Sequence, residues 1–405
     1  MRPSFIFLGF VSVALAARPF LNEPDTAIED DFGDLPAGAL PDLSRIVGLP
    51  DFNWVARRYM NISAYTFYRT GSAGEWSYRN NLEVFNRFRF RPRVMTDITN
   101  IESTLPTTIL GYNFSAPFYI SPCSRGGLAH PEAERGLVQG AAAENILYVP
   151  SLFATLSIED IAAAKNASQV IFQQVYLDSN DTATQLLFDR IERSGAKAIV
   201  FTVDAPADGN RHRAARFGAN SKQVKSILLN TVPAVLTLLH SLHDELEYSL
   251  ITWDIYKQLQ TMTTLPIIIK GIGSVEDARA AVAAGAPGII LSNHGGRQLD
   301  GSPSSLEIAL EIHEEAPEVF TQTEVFADGG VRYGTDVLKL LALGVRAVGI
   351  GRPFMFSNVY GKDGVVRAIQ LLKREIAGDA ANLGLGDLKK IDASYVKWTP
   401  NHWYG

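Results

Sequence analysis

Eight short apolar runs, most of them followed by a stretch of helical periodicity, restrict the fold of this chain more than any other feature of its sequence. The runs are Phe118–Cys123, Ile146–Ser151, Val170–Tyr176, Ala198–Asp204, Pro266–Gly271, Gly288–His294, Glu324–Gly330 and Ala347–Arg352. They are too short for helices and too continuously apolar for strands with one wet face, which suits strands covered on both sides. Between them lie segments such as HPEAERGLVQGAAAEN, SVEDARAAVAAGA and RYGTDVLKLLALGV, whose apolar residues recur at helical spacing. Eight β–α repeats predict a (β/α)₈ barrel. A doubly wound open sheet is the alternative, but such sheets more often stop at about five or six strands.

The rest of the chain frames this unit. The N-terminus carries Arg2, an apolar or small run Phe5–Ala16 and a small-x-small ending at Ala14–Ala16, the pattern of a cleaved secretory signal over residues 1–16. An acidic leader follows over 17–50, with Glu23, Asp25, Glu29, Asp30, Asp31 and Asp34 among prolines and glycines, and is expected to be solvated. Residues 51–405 form the expected catalytic domain. Sequons at Asn61, Asn113, Asn166 and Asn180 agree with a secreted glycoprotein, although roughly two such triplets arise by chance in a chain this long. A net charge of −6 argues against nucleic acid as a partner. The single cysteine, Cys123, excludes an intrachain disulfide, and no Cys/His spacing suggests a metal site. One connection is long: residues 205–265, including SILLNTVPAVLTLLHSLHDEL, follow the fourth strand and would lie at the barrel mouth. A lid is one reading and packing over the barrel the plainer one. A membrane-surface contact would require the amphipathic face of an interfacial helix.

In a barrel the C-terminal strand ends share one face, where active sites assemble. Strand one runs into SPCSRGG, strand two ends in Ser151, and strand three carries Gln174 and Tyr176. Strand four brings Thr202 and Asp204, with Arg211 soon after; strand five brings Lys270; strand six runs into SNHGGRQLD with Ser292, His294 and Arg297. Strand seven ends ADGGVR and strand eight GIGR. Taken singly, these have bland explanations as helix caps, turns and surface charges. Together they describe a glycine-rich phosphate cradle beside a base, a carboxylate, a lysine and a guanidinium clamp, as a phosphorylated organic cofactor would require.

The segments SNHGGRQLD, LPIIIKG, FADGGVRYGTDVLKLLALG and IGRPF resemble those of the FMN-dependent 2-hydroxy acid oxidising enzymes, and the similarity runs from about Asp51 to Pro400. The resemblance implies an FMN-binding barrel. It implies that His294 takes a proton from the substrate, that Asp204 orients it, that Tyr176 lies near the substrate oxygen, and that Arg297 and Arg211 hold the carboxylate. It places Lys270 at the flavin N1–C2=O edge. Ser151, Gln174, Thr202 and Ser292 would bond the ring or ribityl chain, and Asp328, Gly329, Gly330, Arg332, Gly351 and Arg352 the ribityl and phosphate. Homo-oligomers are expected by the same analogy.

Three departures concern the substrate and the oxidant. Phe67 stands where the family usually has a carboxylate-binding tyrosine, with Tyr65 or Tyr68 as alternative donors. Phe153 occupies a position lining the side-chain pocket. Pro122, Cys123 and Ser124 replace the usual segment under the flavin, with Ser124 near its reactive edge. The expected reaction is oxidation of a bulky (S)-2-hydroxy acid to the 2-oxo acid, with O₂ as acceptor and H₂O₂ as product, since no cytochrome domain is attached. Oxidative decarboxylation and a low-turnover FMN-binding protein are the alternatives.

Overall fold

A computed structural model describes residues 26–177, 181–219 and 250–399. Eight parallel strands form its centre: β1 Phe118–Ile120, β2 Leu147–Tyr148, β3 Gln173–Val175, β4 Ile199–Thr202, β5 Ile267–Ile272, β6 Gly288–Leu291, β7 Glu324–Asp328 and β8 Ala347–Ile350. Their spatial order follows their chain order, and β8 pairs with β1. The remaining seam, between β2 and β3, is closed by a parallel bridge from Tyr148 to Ile171 and by Gln174 N–H donating to Pro150 O at 2.9 Å. This is the expected (β/α)₈ barrel. Each of the eight apolar runs overlaps a strand; seven strands are shorter than their runs, because the polar ends leave the ladder to line the mouth, while β5 continues one residue past its run, to Ile272.

Period-2 alternation explains why the runs read as continuously apolar. Tyr119, Leu147, Val149, Phe172, Val200, Ile268, Ile290 and Phe326 fill the barrel interior. Their neighbours Phe118, Ile120, Phe201, Ile269, Leu291 and Ile350 join the larger core beneath the helices. A hairpin, Thr107–Ile109 with Tyr112–Phe114, packs Ile109 and Phe114 into the interior cluster. Leu110 N–H bonds Glu324 at the start of β7, so the hairpin plugs the end opposite the catalytic face.

The helices Leu49–Tyr59, Ile62–Arg69 and Trp76–Glu83 precede the barrel and reach its mouth. Pro50 starts the first, and the Asn61 side chain caps the second by accepting from Ala64 N–H at 2.9 Å. Ser72 N–H donates to Gly296 O at 2.8 Å, and Ser77 N–H to Asp300 at 2.8 Å, tying this segment to the loop after β6.

The expectation of a solvated leader over 17–50 is corrected across its described part. Residues Ile28–Phe32 form a helix, Phe32 is 1% exposed, and Ile46 and Leu49 are fully buried. Phe32 packs on Trp54, while Arg45 stacks on Phe32 and pairs with Asp31. The acidic residues sit on the wet side of this helix, and its buried aromatic edge holds it to the domain. The signal segment, Asp25, Asn180 and residues 220–249 of the long connection lie outside the described residues; Asn61, Asn113 and Asn166 are exposed. Among the described residues no helix is long and apolar enough to cross a membrane.

Candidate active site

The backbone at the ends of β4, β5 and β6 places the reactive groups. Asp204 follows β4 and presses against Gly271, where an added Cβ would lie 2.6 Å from the Asp204 Cβ. Gly271 has φ +113 and sits at the register shift between Lys270 and Ile272, a bulge that turns β5 at its catalytic end. His294 lies in the left-handed region at φ 58, an uncommon conformation for a residue with a Cβ, and its N–H donates to Ser292 Oγ at 3.0 Å. That turn brings His294 Nδ1 to 2.7 Å from Asp204 Oδ1 and Nε2 to 3.4 Å from the Tyr176 hydroxyl.

The electrostatics favour the unprotonated imidazole. Burial pushes His294 below the ordinary histidine value, outweighing the pull of Asp204, and nearby Lys270 and Arg211 act in the same direction as burial. Burial alone would raise Asp204, but His294 and Lys270 hold it below the usual carboxylate value. The pair is therefore a neutral imidazole oriented by a carboxylate. Burial and Asp204 push the Tyr176 phenol up to about 12, so it stays a hydroxyl.

Lys270 is buried at the centre of a second network. Its ammonium donates to Ser292 Oγ at 2.9 Å and lies 3.3 Å from Asp328 Oδ2. Ser292 Oγ donates to Asp328 Oδ1 at 2.6 Å, and Ser121 Oγ to Asp328 Oδ2 at 3.2 Å. Burial works against the lysine charge, but Asp328 and Asp204 outweigh it and raise its pKa. A fixed buried cation at this point can stabilise negative charge that develops beside it. Next to it, Gln174 Nε2 donates to Thr202 Oγ1 at 3.0 Å, Gln174 Oε1 accepts from Leu152 N–H, and Ser151 Oγ accepts from Phe153 N–H.

The arginines divide into two groups. Arg297 donates to Phe67 O at 2.8 Å with its guanidinium 5.5 Å from the Phe67 ring, and Arg211 bonds Arg297 O and the Gln298 side chain. Burial, with Arg211 and Arg352 nearby, pushes Arg297 well below its ordinary value, a cost that an anionic ligand would relieve. At the glycine-rich ends of β7 and β8, Arg352 donates to Tyr68 O, Gly295 O and Thr70 O, and Arg332 to Val331 O. Burial lowers Arg352 to about 10, and Arg332 adds to the repulsion. Neither guanidinium reaches a carboxylate among the described residues. Two mutually repelling guanidiniums beside Gly295, Gly329, Gly330 and Gly351 fit a phosphate dianion.

His294, Asp204, Tyr176, Lys270, Ser292, Gln174, Thr202, Arg297, Arg211, Asp328 and Arg352 are thus linked by contacts at the C-terminal strand ends, and Cys123 lies against the β8 end. A Cβ on Gly351 would meet Cys123 Sγ at 3.0 Å, and burial pushes that thiol up to about 11. The alternative donors for the substrate carboxylate are engaged elsewhere. The Tyr65 hydroxyl donates to Asn53 Oδ1 at 3.2 Å, and the Tyr68 hydroxyl to Arg125 O at 2.5 Å.

The sequence reading missed Tyr78, Asn81, Asn293 and Ser121. The Asn81 and Asn293 amides bond each other reciprocally at 2.8 Å, and Tyr78 lies under the Arg69 and Arg352 guanidiniums. Tyr78 and Asn81 belong to the N-terminal helices, whose arrival at the mouth no local pattern announces. Asn293 and Ser121 stood inside the quoted strand ends and could have been found there.

The profile of the FMN-dependent dehydrogenase family matches residues 56–398. The peroxisomal (S)-2-hydroxyacid oxidase GLO3 of Arabidopsis thaliana is 37% identical over 360 residues, covering 88% of this chain and 97% of that protein. L-lactate dehydrogenase (cytochrome) of Saccharomyces cerevisiae is 34% identical over 362 residues, 87% of this chain; the match spans 61% of the length of that longer protein. The crystal structure of mandelate oxidase with 3,3-difluoro-2-hydroxy-3-phenylpropionic acid superposes with a TM-score of 0.77 at 33% identity, covering 88% of this chain and all of that one.

Proposed function

Since the chain belongs to the FMN-dependent dehydrogenase family and is an FMN-dependent oxidoreductase acting on 2-hydroxy acids, we propose that its substrate is an (S)-2-hydroxy acid larger than glycolate and its electron acceptor O₂. The observation that carries the reading is the His294–Asp204 contact at 2.7 Å, facing the Tyr176 hydroxyl and flanked by Lys270 and Arg297. The flavin would supply the two-electron acceptor for the 2-hydroxy acid.

Arg297, with Arg211 behind it, holds the carboxylate and sets the C2 end of the substrate against His294. His294 takes a proton at Nε2, and Asp204 stabilises the imidazolium through Nδ1. Tyr176 donates to the substrate oxygen. Lys270 would stabilise negative charge on the reduced flavin, which Ser151, Gln174, Thr202 and Ser292 would hold together with the Pro122–Ser124 segment. Asp328, Gly329, Gly330, Arg332, Gly351 and Arg352 would hold the ribityl chain and phosphate.

The larger substrate is supported by Phe67. Its ring offers no hydroxyl to a carboxylate, and those of Tyr65 and Tyr68 are engaged away from the site. Phe153, stacked on Tyr176 at 5.2 Å, would bound the side-chain pocket. O₂ is supported by the oxidase relative, which this chain matches along 97% of its length. Two electrons and two protons leave the hydroxy acid, giving the 2-oxo acid, and pass to O₂, giving H₂O₂. The test is oxygen uptake with peroxide and product analysis. Equimolar peroxide and 2-oxo acid support the proposal; CO₂ release with a shortened acid would show oxidative decarboxylation, and no turnover with flavin bound would show a binding protein.

A further inference from the structure

The loop after β1 carries a cation to which the mechanism above gives no task. Arg125 has φ 63, and its backbone is pinned on both sides by aromatic residues of the mouth: its N–H donates to Phe153 O at 3.2 Å and its carbonyl accepts from the Tyr68 hydroxyl. Its guanidinium lies 5.0 Å from the centroid of the Phe67 ring. Arg297 lies 5.5 Å from the same centroid, so the two cations are no farther apart than the sum of these distances.

Arg125 Nη1 is buried and has no hydrogen-bond partner, and no carboxylate pairs with the side chain among the described residues. The nearby buried acid, Glu134, is already committed: it accepts from the N–H groups of Gly126 at 2.6 Å, Thr155 at 2.9 Å and Leu156 at 3.0 Å. Burial lowers the Arg125 pKa, as expected for a cation that lacks an anion. A buried, uncompensated guanidinium is costly to maintain, and a ligand carboxylate would offset that cost through a charge-assisted, bidentate contact.

We propose that Arg125 recognises a second anionic group on the substrate, a carboxylate at the far end of its side chain, so that the preferred substrate is a short 2-hydroxy dicarboxylic acid spanning Arg297 and Arg125 across the face of Phe67. The proposal rests on the 2-hydroxy acid reading above. It also accounts for Phe67: an apolar ring within cation–π distance of both guanidiniums is held by each, where a phenol would compete for the same carboxylates.

The test compares (S)-2-hydroxyglutarate with the equal-length monoacid (S)-2-hydroxypentanoate, using the full-length protein loaded with FMN. The diacid is expected to have a kcat/KM at least about tenfold higher, expressed mainly in KM, because a charge-assisted contact is worth about 1.5–3 kcal/mol. Arg125→Met should reduce the diacid-to-monoacid ratio by about tenfold or more, and Arg125→Lys should restore part of it. The wild-type comparison needs no variant, so a poorly folding Arg125→Met would not remove the test. Turnover of the monoacid with no preference for the diacid, or an Arg125→Met ratio equal to wild type, overturns this proposal alone. If FMN is bound and neither acid is oxidised, this inference fails; only if no (S)-2-hydroxy acid bleaches the flavin does the 2-hydroxy acid reading fail with it.

Discussion

Phe67 carries the sharpest residue-scale consequence. Its ring lies beside Arg297 with no hydroxyl to offer, and the Tyr65 and Tyr68 hydroxyls are bonded elsewhere. Phe67→Tyr should therefore raise kcat/KM for small acids such as glycolate by about ten- to a hundredfold, the worth of one hydrogen bond to a carboxylate, while larger substrates gain little. Steady-state kinetics on one small and one larger acid checks this; unchanged kinetics on both would show that Phe67 only packs. A second expectation concerns pH. His294 must be unprotonated to act and is held below the ordinary histidine value of 6.5, so kcat/KM should fall only as pH drops below that value. An acid limb centred well above it would contradict the assignment of the base. The catalytic residues were legible because they stand at strand ends, where a run of apolar residues breaks into polar ones. Arg125 stood in the quoted SPCSRGG but passed unread, because only the fold puts it against Phe67 and shows that Glu134 is already taken.

At the scale of elements, the long C-terminal helix Gly361–Asn382 packs on the helix Gly334–Ala342 that follows β7. Glu375 on the former accepts from Gly334 N–H on the latter at 2.8 Å. Burial, with Asp379, Asp336 and Asp51 nearby, pushes its carboxyl from 4.5 up to about 7, against the Gly334 N–H that favours the carboxylate. The folded protein thus binds this proton more tightly than the unfolded chain does. The resulting stability is full below about pH 4.5 and is lost as pH rises through about 7. Glu375→Gln keeps an acceptor without the charge, so its urea midpoint should exceed that of wild type at pH 8 and converge with it at pH 5. A wild-type advantage at pH 8 would reverse the assigned sign. Element positions were readable from hydropathy, yet seven of the eight runs overstated their strands, and the fifth stopped one residue short of its strand's end at Ile272. The polar residues that close the runs leave the ladder for the mouth, and at β5 the bulge at Gly271, pressed against Asp204 remote in sequence, shifts the register so that Ile272 still pairs with Leu291.

For the molecule as a whole, the barrel and its catalytic face follow from the repeat of β–α units, whereas the N-terminal boundary did not. A count of acidic residues hid Phe32, whose burial against Trp54 extends the domain upstream of the expected leader boundary. Phe32→Ala should lower stability by roughly 3 kcal/mol or more, the usual cost of emptying a buried aromatic site. A urea titration matching wild type would restore the picture of a solvated leader. The central claim, a flavin barrel in which His294 deprotonates a 2-hydroxy acid, is tested most directly by mixing the FMN-loaded protein anaerobically with (S)-2-hydroxy acids and following the visible flavin absorbance. Wild type is predicted to bleach with at least one such acid and to recover on admission of O₂. His294→Gln is predicted to keep its flavin and lose bleaching by several orders of magnitude in rate. Bleaching of His294→Gln at the wild-type rate, or a wild-type protein that holds no FMN, would contradict the account.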